Sequence, residues 1–188
     1  AVPSVAFLVF DPSELLTFDQ LVANACRIKF DVAQQFTIGR TYDADTIKFW
    51  RDPKNATAYK QVIAPSSVDV KLEYFDQILS KYLIDMGYNS TEGRCYSRGP
   101  HFDVTILDGI YTQFGWDQKF PFWSHRCVRT EVDSAAQYWI PNYDFQGYIK
   151  SFPYPENFVA HQETHDIARD ILLMQHSHLG LLNKFGAL

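Results

Sequence analysis

The sequence predicts a mainly α protein: a four-helix bundle core with a long, aromatic-rich and partly β insertion between the third and fourth helices. Apolar residues recur at helical spacing in four separate stretches of the chain. Of the 30 aromatic residues, 16 lie between Tyr96 and Phe158, where the pattern is of a different kind. With 46% hydrophobic residues, the chain of 188 residues is typical of a packed domain rather than of a disordered one. We expect a single domain, residues 1–188, in which residues 96–157 form the insertion.

The amino-terminal part predicts one strand and two helices. An apolar run at residues 5–10 indicates a short strand or a buried extended arm. Apolar residues at helical spacing then predict a first helix over about 13–27 and a second over 30–38. Residues 43–50 indicate another turn or two of helix, which ends before Pro53 because proline disfavours a helical residue in front of it.

The third and fourth helices are predicted from their apolar stripes. From Leu72 to Met86, apolar residues fall at i, i+3, i+4 and i+7, which predicts an amphipathic third helix. A fourth helix is predicted over about 157–178, and Gly180 is expected to end or bend it.

The insertion is predicted to contain a β-hairpin and much irregular chain. The alternating residues 102–107 read as a strand that pairs with residues 110–114 across Asp108 and Gly109, a typical hairpin turn. Four prolines follow in the next part of the chain, with aromatic residues between them. A loop of this length without regular structure is usually functional.

A histidine cluster near the carboxyl end is the strongest candidate for a chemical site. On a helix, His161 and His165 would lie on one face, one turn apart, and His176 would continue roughly the same stripe. That spacing is typical of a transition-metal site such as zinc, to which Glu163 or Asp166 would add a base or a third ligand. The known zinc-protease pattern requires glutamate directly after the first histidine, and this chain has glutamine there. The other interpretation is a polar helix rim whose histidines hydrogen-bond to the insertion.

Other enzyme chemistry has little support in the sequence. The chain has neither a G-x-S-x-G motif nor a glycine-rich phosphate loop. Cys127, beside His125 and Arg126, is either a thiol of lowered pKa or an inert buried cysteine, and the second is the more common case. The balance favours a protein that is not an enzyme.

Charge sets limits on the partners. With 17 Lys and Arg against 22 Asp and Glu, the net charge of −5 excludes a global basic field but not a local one. Arg94 and Arg98 follow the third helix, and their guanidinium forks suit phosphate oxygens, which predicts RNA-binding residues. The alternative is surface pairing with Glu92 or Asp103. No apolar run is long enough to predict a membrane span.

Two glycosylation sequons bear on the compartment. They begin at Asn55 and Asn89, and either asparagine would accept a glycan if the chain were secreted. A glycan at either position would favour secretion over a cytoplasmic location.

The order of the elements and several single residues match a known plan. The matching residues are Phe30, Gln34, Gln35, Trp50, Arg51, Asp52, Pro53, Pro65, Ser67, Tyr74, Gly87, Thr91 and Arg94. The plan consists of two adjacent helices, an extended segment with a proline, a long third helix, an arginine-bearing connection and a fourth helix. In these features the chain, over about residues 5–98 and 158–188, resembles the coat proteins of rod-shaped plant viruses of the tobacco mosaic and tobacco rattle type.

The resemblance implies a capsid protein that self-assembles into a helical filament around single-stranded RNA. Arg94 and Arg98 would face RNA phosphates, the partners would be copies of the same chain and RNA, and no cofactor would be needed. The location would be the virion or the host cytoplasm. The aromatic insertion would be an assembly interface, because exposed aromatic surface promotes aggregation. Two alternatives stay open: a secreted or organellar metal-binding enzyme that uses His161 and His165, and an accessory subunit of a larger complex.

Overall fold

A computed structural model of the protein describes residues 1–186, and it is mainly α, as the sequence predicts. Eight α-helices lie in this part of the chain, so the four-helix bundle is not confirmed. The helices are α1 (Phe18–Asn24), α2 (Val32–Thr37), α3 (Ala44–Arg51), α4 (Ala56–Val62), α5 (Phe75–Asp85), α6 (Pro100–Phe114), α7 (Val128–Ala136) and α8 (Glu163–Lys184). The strands are β1 (Ser4–Phe7), β2 (Cys26–Lys29), β3 (Cys95–Ser97) and β4 (His125–Cys127).

The chain divides into two compact units. Unit 1 consists of Ala1–Met86 and Pro155–Ala168, and unit 2 consists of Gly87–Tyr154 and the chain from Arg169 onward. The first residues of α8 therefore belong to unit 1 and the rest of that helix to unit 2. Nearly all of the predicted insertion lies in unit 2.

Unit 1 contains an antiparallel pair of strands and five helices. In this pair, Ser4 of β1 lies opposite Lys29 of β2, and Phe7 lies opposite Cys26. The predicted first helix is too long at both ends. It begins only at Phe18, because Thr17 caps it, and the residues after Asn24 extend to pair with β1.

The core of unit 1 forms around α5, which confirms the predicted third helix. Phe75 and Leu79 on α5 are fully buried, as are Leu21 on α1 and Phe30 after β2. The ring of Phe30 meets that of Phe75 edge to face, with centroids 5.8 Å apart. Each such burial contributes roughly 1.5–3 kcal/mol of transfer free energy.

Unit 2 corrects the predicted hairpin, because residues 100–114 form the helix α6 instead. Pro100 occupies the first turn, where its missing N–H costs nothing, and Gly115 ends the helix in the left-handed conformation. The burial of Ile110 and Tyr111 on one face outweighs the alternating pattern of residues 102–107. Helix α7 also interrupts the irregular chain that the sequence predicts, whereas residues 137–162 contain neither helix nor strand.

The only strands of unit 2 within the described chain form a short parallel pair. Cys95 of β3 lies opposite His125 of β4, Tyr96 opposite Arg126, and Ser97 opposite Cys127. Helix α6 follows β3 and helix α7 follows β4. The residues just after each strand therefore meet at one edge of the pair.

Helix α8 starts later and ends later than predicted. The side-chain oxygen of Gln162 accepts from the backbone N–H of His165 at 2.7 Å and so caps the first turn, which places the start at Glu163 rather than near 157. The helix continues through Gly180, and a larger residue would not fit at this position, because the indole of Trp139 packs where its Cβ would stand. Within residues 1–186, no helix combines the length and the apolar character that a membrane crossing requires.

Candidate active site

An ion-pair cluster in unit 2 centres on Asp170 of α8. Arg98, directly after β3, donates from Nε to both carboxylate oxygens of Asp170, at 2.9 and 3.0 Å. Arg169 donates from Nε to Oδ1 of the same carboxylate, also at 2.9 Å. The three side chains are only 10–12% exposed. Two arginines therefore hold one nearly buried carboxylate in a fixed orientation.

A second carboxylate, that of Asp103 on α6, lies near this cluster. Asp103 is an exposed residue, but the partial burial of its carboxyl group raises its pKa, the negative charge of Asp170 raises it further, and the positive charge of Arg129 lowers it in part. A carboxyl group whose pKa is raised both by burial and by a second carboxylate is characteristic of functional sites. The pair consists of one residue from α6, which packs against β3 and β4, and one residue from α8.

The loop after α7 supports Arg98 from the other side. The guanidinium carbon of Arg98 lies 4.1 Å from the centre of the Tyr148 ring, a cation–π geometry, and Nη1 of Arg98 donates to the Gly147 carbonyl at 3.0 Å. The N–H of Gly147 in turn donates to Asp133 Oδ1 on α7 at 2.8 Å. Gly147 has a φ of 67°, and a Cβ there would lie 2.6 Å from side-chain atoms of Arg129, so the loop requires glycine.

A hydroxyl group completes this support. The Tyr143 hydroxyl donates to Asp133 Oδ1 at 2.6 Å. Burial and the Asp133 carboxylate, as acceptor and as charge, raise the pKa of Tyr143, which keeps the hydroxyl protonated and donating. The loop that carries Gly147 and Tyr148 is thus fixed before any ligand binds.

One donor of the cluster has no protein acceptor. Nη2 of Arg98 is buried and makes no hydrogen bond within residues 1–186. A buried guanidinium N–H without an acceptor carries an uncompensated desolvation cost of about 1–3 kcal/mol. The site therefore offers two carboxylates for a cation and one guanidinium N–H for an anion, a set that suits a phosphate group with a divalent metal.

The three predicted histidine ligands have different surroundings. His161 lies before α8, at a φ of 65°, and its ring packs edge to face against Phe49 with centroids 4.9 Å apart. The helical face that the spacing predicts is absent because α8 begins after it. His176 belongs to unit 2 and packs against Trp139, with ring centroids 5.5 Å apart. Among residues 1–186, no three His, Cys, Asp or Glu side chains form a group that could hold a metal.

His165 has a defined structural role in unit 1. Its Nδ1 accepts from the backbone N–H of Val159 at 3.0 Å, and its ring packs edge to face against Phe18 with centroids 5.2 Å apart. Burial lowers the pKa of His165, and the charges of Glu163 and Asp19 offset this only in part. An Nδ1 that accepts a hydrogen bond assigns the remaining proton to Nε2.

The two predicted RNA-binding arginines lie in different surroundings. Arg98 is the nearly buried partner of Asp170 described above, and not of Asp103 as the pairing alternative supposed. Arg94 is exposed and donates from Nη1 to the carbonyl of Glu92 at 3.0 Å. Binding of RNA by either residue stays a prediction.

The remaining candidates also have clear environments. Burial alone would raise the pKa of Cys127, but hydrogen bonds to the backbone of Thr130 and Arg129 and the charge of Arg129 lower it overall. Asn55 is buried and donates from Nδ2 to the Phe49 carbonyl at 2.7 Å, so it cannot accept a glycan in the folded chain. Asn89 is exposed, and its Oδ1 accepts from the Thr91 hydroxyl.

Sequence reasoning missed the Asp103–Asp170 pair for identifiable reasons. Interpreting residues 102–107 as a strand removed Asp103 from any helix, and Asp170 was not selected from the polar residues of α8. The two residues lie far apart in the chain and belong to no shared motif. Arg98, which the sequence predicts as an RNA-binding residue after the third helix, is the member of this cluster to which the sequence points.

Comparisons with known proteins point to nucleases. A family model described as the 3'-5' exoribonuclease Rv2179c-like domain matches residues 1–148. The exodeoxyribonuclease of Enterobacteria phage T4 is 28% identical over 200 residues, which cover 94% of this chain and 82% of the phage protein. No solved structure gives a significant match.

These matches overturn the predicted coat protein, together with its capsid, virion and helical-filament assignments. The resemblance rested on single residues and on amphipathic periodicity, which any helix packed on a core displays. The alternative of a metal-binding enzyme agrees better with the matches, although it is less specific than they are.

Proposed function

We propose that this chain, which belongs to the family of Rv2179c-like 3'-5' exoribonuclease domains, is an exonuclease that hydrolyses the terminal phosphodiester bond at the 3' end of a single-stranded nucleic acid. The observation that carries the proposal is the Asp103–Asp170 carboxylate pair, with Arg98 beside it. Hydrolysis of a phosphodiester requires groups that neutralise charge on the phosphate and groups that activate water.

The carboxylate pair fits a divalent cation such as Mg²⁺ or Mn²⁺. Mg²⁺ binds through one or two carboxylates and completes its shell with water and substrate phosphate oxygens, so two protein ligands suffice. Asp103 and Asp170 would hold the cation. When bound, it would supply Lewis-acid polarisation of the phosphate and lower the pKa of a bound water.

In the proposal, Arg98 contacts both the Asp170 carboxylate and the phosphate of the substrate. Its Nε orients the Asp170 carboxylate, and its stacking on Tyr148 keeps the guanidinium plane fixed. Its buried Nη2, which lacks a protein acceptor, is available to donate to a non-bridging phosphate oxygen. Arg169 also pairs with Asp170, through Nη2 at 2.9 Å, so Arg98 is one of two cations that face this carboxylate.

The proposed reaction is an ordinary hydrolysis. A water oxygen forms a bond to phosphorus, and the bond between phosphorus and the 3' oxygen of the preceding nucleotide breaks. That oxygen takes up a proton and becomes a new 3' hydroxyl, and the product is a nucleoside 5'-monophosphate. Asp103 must be ionised for this role, so its raised pKa limits activity on the acid side.

The test uses single-stranded oligonucleotides with a label at the 5' end. With Mg²⁺ or Mn²⁺, we expect a ladder that shortens one nucleotide at a time from the 3' end, and EDTA should abolish it. RNA and DNA substrates should be compared, because the family description names an exoribonuclease and the phage relative is an exodeoxyribonuclease. Internal cleavage, or no cleavage of either substrate with either metal, would contradict the proposal.

A further inference from the structure

Two adjacent aromatic side chains in unit 2 stand out from its surface. Phe122 is 81% exposed and Trp123 is 59% exposed, and their rings meet edge to face with centroids 5.2 Å apart. Both precede β4, in a short turn of 3-10 helix. Large apolar side chains exposed side by side are typical of binding surfaces.

The turn that carries these rings is held rigidly. The Ser124 hydroxyl and backbone N–H both donate to the Pro121 carbonyl at 2.8 Å, and Ser124 itself is buried. Nη1 of Arg126 donates to the carbonyls of Trp123 and His125, at 2.9 and 2.7 Å. The exposed rings are therefore preorganised, which lowers the entropic cost of binding a partner.

Positive charge accompanies the rings. Arg126 lies opposite Tyr96 in the strand pair, and Arg94 is two residues before Tyr96. Burial and Glu131 raise the pKa of Tyr96, whereas the positive charges of Arg126 and Arg94 lower it in part, so both charges act at this strand position. The hydrogen bonds of the Arg94 and Arg126 guanidinium groups within residues 1–186 use Nη1, so each keeps other N–H donors for a phosphate.

The rings and the carboxylate pair lie at opposite ends of the same two strands. Arg94 and Trp123 precede β3 and β4, whereas Arg98 and Arg129, which act on Asp170 and Asp103, follow them. Strands of three residues separate the two ends by roughly 10 Å. A strand of a few nucleotides spans this distance.

We propose that Phe122 and Trp123, with Arg94 and Arg126, form a stacking platform for the bases of a single-stranded nucleic acid a few nucleotides upstream of its 3' end. The inference rests on the proposed nuclease function and names a substrate-binding surface for it. Stacking on an aromatic face needs only the flat face of a base, so the platform should accept RNA and DNA alike. It would hold the strand between successive cleavages.

Binding of fluorescently labelled decanucleotides, measured by anisotropy in EDTA, tests the platform without catalysis. Trp123→Ala and Phe122→Ala should each weaken binding of decamers of RNA and of DNA by on the order of tenfold. Trp123→Phe should keep most of the affinity, whereas Trp123→Leu should lose as much as the alanine variant. Tyr42→Ala, which removes another exposed aromatic ring, is the matched control and should bind normally.

Two further measurements separate the possible outcomes. The ratio of the decamer hydrolysis rate to the dinucleotide hydrolysis rate, with Mg²⁺, should fall in Trp123→Ala, because a decamer reaches the platform and a dinucleotide does not. Arg94→Gln should reduce the slope of log K against log salt by about 0.7, the value for one lost phosphate contact with a single strand. Thermal melts of each variant check that the fold is intact.

Normal decamer binding by both alanine variants would overturn the platform. Full affinity of Trp123→Leu would do the same, because it would mean that a generic apolar contact, as in a protein interface, suffices. If the alanine variants lose binding while Asp103→Asn still cleaves normally, the platform stands and the proposed active site falls. The two proposals therefore fail separately.

Discussion

Each unit contains a nearly buried ion pair, and the two pairs differ in how completely their polar groups are matched. In unit 1 the Lys29 ammonium donates to Asp69 Oδ1, to the Ala64 carbonyl and to the Ser66 hydroxyl, at 2.6, 2.7 and 3.4 Å. Ser66 also donates to both oxygens of Asp69. In unit 2 the Arg98–Asp170 pair has a buried N–H without an acceptor and a second carboxylate, that of Asp103, close by.

The difference shows how to distinguish a structural pair from a functional one. Burial alone would raise the pKa of Asp69, but its hydrogen bonds and the Lys29 charge lower it, so the folded state favours the ionised form. At Asp103 burial and a like charge both raise the pKa, so the fold works against ionisation. The first arrangement stabilises the protein, and the second keeps a stability cost that a bound cation would relieve.

The largest expected effect on stability is at the Lys29–Asp69 pair of unit 1, whose polar groups are fully matched. Lys29→Met leaves Asp69 buried without its cation, and we expect a loss of about 3–5 kcal/mol in the free energy of unfolding. Urea or thermal unfolding measures it. Lys48→Met is the control: its pair with Asp45 has side chains 77% and 85% exposed, and it should change stability by less than about 1 kcal/mol. Equal losses of unfolding free energy in Lys29→Met and Lys48→Met would contradict the stabilising role of the buried pair.

At the Arg98–Asp170 pair of unit 2, we expect a substitution to change the exonuclease activity. Arg98→Lys keeps the charge but loses the two-oxygen grip on Asp170 and the stacking on Tyr148, and we expect the exonuclease rate to fall by roughly 10- to 100-fold. The rate on a 5'-labelled oligonucleotide measures this. Arg51→Lys, at an exposed position of unit 1, should cleave at the normal rate. A fully active Arg98→Lys variant would mean that the cluster only stabilises the fold.

A smaller effect concerns the acid side of the pH–rate profile. Activity should fall as the pH drops through the raised pKa of Asp103, because only the carboxylate binds a cation. Arg129→Gln removes the positive charge that lowers this pKa, so the acid limb should move to higher pH. A limb that moves to lower pH, or does not move, would show that Asp103 does not control it.

The smallest expected effect is the pH dependence of stability from His165. Its pKa is lowered in the folded state from 6.5, so the unfolded chain binds more protons there. The contribution is therefore fully present above pH 6.5 and is lost as the pH falls towards the folded pKa. In His165→Gln, the free energy of unfolding between pH 7 and 5 should change less steeply. An unchanged slope would assign the effect to another group.

The sequence predicts long amphipathic helices well. It predicts poorly those segments in which helix and strand compete. The stripe from Leu72 to Met86 predicts α5, because its apolar face is continuous and nothing competes with it. Residues 102–107 alternate as a strand would, yet Pro100 and Gly115 are suited to the two ends of a helix, and the helix forms. The helix predicted over 13–27 shortened because residues 26–29 pair with β1, a contact that spacing cannot reveal.

The candidate site was harder to predict because it depends on contacts distant in sequence. His161 and His165 were chosen for helical spacing, but the Gln162 cap excludes His161 from α8. Asp103 and Asp170 share no motif, and only the fold brings them together. The sequence predicts Arg98 as an RNA-binding residue, whereas its burial follows from contacts with Tyr148 and with Asp170 of α8, which the sequence does not reveal.

The most direct test of the central claim is Asp103→Asn, measured for exonuclease rate and melting temperature in the same preparation. The substitution removes a carboxylate that the fold disfavours, so we expect the melting temperature to stay the same or rise slightly. The rate should fall on the order of 1,000-fold, because the proposed cation loses a ligand. A variant that cleaves at the normal rate would contradict the assignment of the Asp103–Asp170 pair as the active site.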